Sequence, residues 1–198
     1  MSQCTAVGKK SVARDDLRAL VDSYIADHQP SAMRDQTFFE SMPSLELAIH
    51  HAAYALDHRE PPKRYSHQRR IRYAPMRKAY LLLMQSLEVL RSFQTFVALH
   101  EFMRLAFSKI RGLGPLYTYD TALRIGFRLR LQPIAVYLHS GTRKGAQALG
   151  IRGLKVVNVG ELPQALHVLQ AHEIENFLCI FKPSLGLSNK VRSHAAAI

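Results

Sequence analysis

Lys109-Ile110-Arg111-Gly112-Leu113-Gly114-Pro115-Leu116-Tyr117-Thr118 is the stretch on which the fold of this 198-residue chain turns. Before it, Phe93, Phe96, Val97, Phe102, Leu105 and Ala106 recur at helical spacing up to Ile110, with Ser92 as a cap. After it, a second helix is expected from near Thr118 to about Arg130. Gly112 and Gly114 carry no side chain and tolerate positive φ, so a ligand can come close to the main chain between the two helices. The second helix then offers free N–H groups and the positive end of its dipole, for which a phosphate is the natural guest. Lys109 and Arg111 add counter-charge, Thr118 a hydroxyl, and Ile110 and Leu113 anchor the turn. The plain alternative is an ordinary tight connection between helices.

Outward from that turn, the pattern predicts further helices. Ser11 caps a first one whose opening turn holds Asp15 and Asp16 and whose stripe is Leu17, Leu20, Val21, Tyr24 and Ile25, ending at Gln29-Pro30. Residues 31–42 form a short one around Phe38 and Phe39, and Pro43-Ser44 opens another through Leu45, Ile49, Ala52, Ala53 and Leu56. The run from Pro75 through Leu90 is apolar on more than one side and reads as the buried central helix. Short helices are expected over 142–149, 163–169 and 172–181, whereas residues 156–159 suit a strand that has no obvious partner and reads as coil. The expectation is an all-α fold, a bundle of about eight helices in one domain spanning 1–186, with a loose tail over 187–198.

Composition narrows the function. No apolar run is long enough to cross a bilayer and the N-terminus lacks a secretory pattern, so a cytoplasmic protein with no membrane partner is expected. Cys4 and Cys179 support neither a disulfide framework nor a thiolate metal site. Ten histidines include His51, His58 and His67, but no His-x-x-x-His pair, and His172-Glu173 lacks its second histidine. No metal and no cofactor are expected. The net charge of +12 is unevenly placed: residues 1–60 hold six Lys or Arg against nine Asp or Glu, residues 61–160 eighteen against three, and residues 161–198 three against three. Lys63, Arg64, Arg69, Arg70, Arg72, Arg77 and Lys78 fall between Pro61 and Leu87, where no acid occurs, and residues 57–72 read as an exposed basic arm. Such a field attracts polyanions, nucleic acid above all. An acidic protein would feel the same pull, and a basic face kept for solubility is the bland alternative.

The segment Ile110-Arg111-Gly112-Leu113-Gly114 resembles the helix-hairpin-helix motif, in which hydrophobic-x-Gly-hydrophobic-Gly joins two helices and grips a DNA backbone. With the helix that follows and Pro133-Ile134-Ala135-Val136-Tyr137-Leu138-His139, it is similar in order to the helix-hairpin-helix base-excision DNA glycosylases, over about forty residues. Those enzymes use an Asp in a Val-Asp-x-His element, and many place a Lys two residues after the second glycine. Here Tyr137 and Leu116 stand at those positions, and the four-cysteine cluster loop of part of that family has no counterpart. The resemblance therefore implies a DNA-gripping element without the usual chemistry, since tyrosine brings no carboxylate and leucine no amine. Beyond this motif, His67-Gln68-Arg69-Arg70-Ile71, residues 119–126 and 136–142, and Glu173-Ile174-Glu175 resemble a group of bacterial proteins, a likeness that implies no activity.

Three function classes follow. The first is a nucleic-acid-binding protein, DNA before RNA, that holds phosphates without base preference through the Gly-Leu-Gly hairpin and the basic arm. Ser140, Thr142, Arg143 and Lys144 at a helix start form a second phosphate candidate, and Tyr65 and Tyr73 could stack on exposed bases. The second is an enzyme acting on nucleic acid or nucleotides with Asp120, Tyr137 and His139 as its site. In it Asp120 would orient His139, whereas its commoner roles are to cap its helix or to bridge Arg124. The third is a module that holds an acidic protein.

Overall fold

In the computed structural model the backbone is described from Gly8 to Ala195 and the side chains from Asp16 to Leu185. Cys4, the capping side chain of Ser11 and residues 196–198 of the expected tail lie outside the described residues. The α-helices are α1 (Gly8–Asp27), α2 (Gln29–Glu40), α3 (Leu45–Tyr54), α4 (Tyr73–Gln85), α5 (Leu87–Ser92), α6 (Phe96–Phe107), α7 (Pro115–Leu129), α8 (Ser140–Ala148) and α9 (Ala171–Ala195). The all-α reading stands in this coarse form. The expected coil at 156–159 is corrected: β2 (Val156–Asn158) pairs antiparallel with β1 (Ala135–Tyr137), Val136 opposite Val157. The partner strand lies within Pro133-Ile134-Ala135-Val136-Tyr137-Leu138-His139. Contacts group the chain into two compact units, one of Ser31–Pro133 and one of Ile134–Ile198 with Met1–Pro30.

In the Ser31–Pro133 unit, Ser44 caps α3 as expected, its Oγ accepting the Leu47 amide at 3.2 Å. The centre is α7, which packs on both α3 and α6. Tyr117, Tyr119, Ala122 and Ile125 are buried along it, and the Tyr117 hydroxyl donates to the Ala53 carbonyl at 2.7 Å. Each large apolar side chain so buried contributes about 1.5 to 3 kcal/mol. The expected central helix, α4, buries only Met76, Ala79 and Leu83 and leaves Leu81 exposed. It also stops at Gln85, and Ser86 donates its hydroxyl to the Leu82 carbonyl before α5 begins. Thr95 rather than Ser92 caps α6, with Oγ1 accepting the Ala98 amide at 3.2 Å. Helix α7 begins three residues earlier than expected, at Pro115, because proline suits a first helical position.

The segment 57–72 is a loop tied at both ends. Leu56 pairs with Arg64, and the Asp57 carboxylate accepts the Lys63 amide at 2.9 Å and the Arg59 guanidinium Nε at 2.6 Å. Burial by itself would raise the Asp57 carboxyl, but the Arg59 side chain and the amides of Lys63 and Arg59 outweigh it and hold it at about 2, below its ordinary 3.8. A depressed carboxyl stabilises the fold fully above its unfolded pKa and loses that contribution as pH falls through its folded one. The unfolding free energy should therefore drop by about 2 kcal/mol between pH 4 and pH 2, and urea titrations of Asp57→Asn should lack this component.

In the other unit, α1 contributes Leu17, Val21 and Tyr24 to a core shared with Val136, Val157, Ile174, Phe177 and Leu178. Helix α8 crosses α9 so closely that a Cβ on Gly145 would lie 2.3 Å from the Leu178 carbonyl oxygen. The expected helix over 163–169 is a single 3-10 turn, Gln164–Leu166, and the expected helix over 172–181 extends as α9 through Pro183 to Ala195.

Candidate nucleic-acid interface

Helices α6 and α7 pack on each other and are joined by a turn in which the Leu113 amide donates to the Ile110 carbonyl at 3.3 Å. Gly112 occupies the third position of that turn with φ +101, a conformation that favours glycine. Gly114 is different: its φ −103 and ψ 176 are extended, it is the N-cap of α7, and a Cβ there would meet nothing within 4 Å. Glycine at this position leaves the helix mouth open rather than relieving strain. The first intrahelical bond is from the Thr118 amide to the Gly114 carbonyl, so the amides of Leu116 and Tyr117 precede it.

The turn rests on the start of α4, where Pro75 Cγ would stand 3.4 Å from a Cβ on Gly112. Arg72, the N-cap of α4, and Lys78 lie three residues to either side of Pro75, on the same side of the helix. Neither α4 nor α7 has a side-chain cap or an acid in its first turn, unlike α3 with Ser44 and Glu46. Lys63, Arg69, Arg70, Arg72, Arg77, Lys78, Lys109 and Arg111 are exposed, and among the described residues none of them forms an ion pair. By contrast, Arg91 and Arg104 are held by Glu46, Glu88 and Glu101.

Several expected ligands are turned inward. The Arg64 guanidinium donates to the Gln68 carbonyl at 3.0 Å and the Ile71 carbonyl at 2.6 Å, so it braces the arm from within. Thr118 is buried with Oγ1 donating to the Gly114 carbonyl at 3.2 Å, and Thr142 is buried with Oγ1 donating to the His139 carbonyl at 3.1 Å. Arg143 and Lys144 are both exposed, although one Arg143 guanidinium nitrogen donates to the Leu138 carbonyl at 3.1 Å. Tyr65 lies under the Arg124 guanidinium, 4.1 Å from its ring centroid, and belongs to the edge of the core, whereas Tyr73 is 64% exposed.

Asp120 has partners of its own. Its Oδ2 is 2.8 Å from His67 Nε2 and accepts the Gln68 amide nitrogen at 2.7 Å, and Arg124 lies 3.9 Å away. Gln68 Oε1 in turn accepts from Arg124 at 3.0 Å. The bridge to Arg124 is the role that helical spacing suggested. The pairing with His67 is the one it missed, since 53 residues separate them and no local pattern links them. Tyr137 and His139 belong to the unit that does not contain Asp120. Among the described residues no group of three or more His, Cys, Asp or Glu is placed to hold a metal, and no helix is long and apolar enough to cross a membrane. The chain matches no protein-family model, no curated protein and no solved structure.

Proposed function

We propose that this protein binds DNA through the phosphate backbone, with the open start of α7 and the basic surface at the start of α4 as its grip. The observation that carries this reading is the approach of the Gly112 turn to Pro75, whose Cγ would stand 3.4 Å from a Cβ on Gly112. It brings the turn that precedes α7 to the first turn of α4, two helices that lack side-chain caps, and Arg72, Lys78, Lys109 and Arg111 on these segments are exposed. Oriented amides together with cations attract phosphates regardless of base, so little sequence preference is expected.

Two measurements test it. Duplex affinity should fall steeply with salt, and replacing Lys109 and Arg111 by alanine should reduce the slope of log K against log salt by nearly 2, at about 0.9 per lost phosphate contact. The Gly114→Val change adds bulk where nothing else stands and at backbone angles valine accepts, so the fold should survive it. Its side chain would screen the Leu116 and Tyr117 amides and should weaken DNA binding by about tenfold. Undiminished binding by that variant would place the contact elsewhere. A flat salt response would count against DNA.

A further inference from the structure

We propose that Tyr73 is a stacking platform for one unpaired nucleobase, so that the protein holds single-stranded DNA in preference to duplex. The inference rests on the backbone grip described above and adds to it the kind of strand that is held.

Tyr73 is the first residue of α4, two positions before the Pro75 that supports the hairpin. Its ring lies nearly parallel to that of Tyr54, with centroids 5.1 Å apart and an interplanar angle of 12°. Tyr54 is itself buried and braced by Tyr80 at 5.4 Å and by His50 at 5.1 Å. One face of Tyr73 is thus fixed against a rigid aromatic stack, while the residue as a whole stays 64% exposed. A tyrosine that served only to cover the core would be buried like Tyr54; this one lies against Tyr54 with its ring nearly parallel and still keeps most of its surface in solvent. A face of this kind accepts a base without regard to identity, provided the base is not already stacked in a duplex. The charges agree: Arg72 precedes it, Arg77 follows within one turn, and no acid occurs between Pro61 and Leu87. A strand whose phosphates sit at the helix starts can therefore lay an adjacent base on the ring.

The test compares labelled dT20 with a 20-base-pair duplex as probes. Wild-type protein should bind dT20 more tightly. The Tyr73→Leu variant keeps apolar cover over Tyr54 and removes the π-face together with the hydroxyl that bonds Tyr54; it should bind dT20 about tenfold more weakly and the duplex within about twofold of wild type. Tyr73→Phe, which keeps the face, should bind both probes as wild type does. Unchanged dT20 affinity in Tyr73→Leu, or an equal loss on both probes, would overturn the platform. If Gly114→Val lost binding in the same series while Tyr73→Leu did not, the backbone grip would stand without it. Wild-type protein that bound neither probe would overturn both.

Discussion

Gly145→Ala should lower the unfolding free energy by about 2 kcal/mol or more, even though alanine is favoured over glycine within a helix by about 1 kcal/mol. The reason is the crossing of α8 on α9. A Cβ on Gly145 would come within 2.3 Å of the Leu178 carbonyl oxygen and 2.9 Å of its carbon. These are main-chain atoms of a buried helix, which cannot rotate away as a side chain does, so α8 must lift off α9 and loosen the packing of Ala146 against the core. Gly141→Ala is the internal control. Its nearest atom is the Cys179 sulfur at 2.8 Å, at the end of a side chain that can turn, so a smaller loss is expected. Urea unfolding of the two variants against wild type decides the matter, and a Gly145→Ala protein as stable as wild type would contradict the close crossing.

Asp120→Ala should be the second large effect, costing about 2 to 3 kcal/mol and weakening DNA binding as well. Without this carboxylate, Gln68, 1% exposed, loses the acceptor for its amide and Arg124, 7% exposed, loses its nearest negative charge. The His67 latch that ties the arm to α7 goes with them. The sign of the binding change is diagnostic. A picture based on net charge alone says that deleting an acid from a basic surface strengthens DNA binding; a picture in which Asp120 holds the arm in place says that it weakens. Asp120→Asn, which keeps an acceptor for the Gln68 amide, should fall between the variant and wild type in stability. A tighter-binding Asp120→Ala protein would show that the position of the arm does not support DNA binding.

Helical content was legible wherever one stripe of residues carried the burial. Leu17, Val21 and Tyr24 announce α1, and Ser44 with Leu45 and Ile49 announces α3, because a cap and a stripe are local properties. The rank of the helices was not legible. Helix α7 carries the polar residues Thr118, Thr121 and Arg124, yet all three are buried, the threonines by bonding back to carbonyls one turn earlier and Arg124 by Gln68 and Tyr65. Helix α4 reads as central because leucines surround it, and yet Leu81 faces solvent.

The site divides along the same line. Sequence alone determined that Gly112 and Gly114 interrupt two helices amid a surplus of cations, because glycine's freedom and formal charge belong to residues and need no neighbours. Only the tertiary structure decided which of those groups face outward. Arg64, Thr118 and Thr142 spend their donors on carbonyls within reach, Asp120 meets His67, and Tyr54 backs Tyr73 while Pro75 backs Gly112. Hydrogen-bond partners and ring faces are set by distances that the chain acquires only on folding, since a donor binds the nearest acceptor in space and sequence separation does not measure that distance.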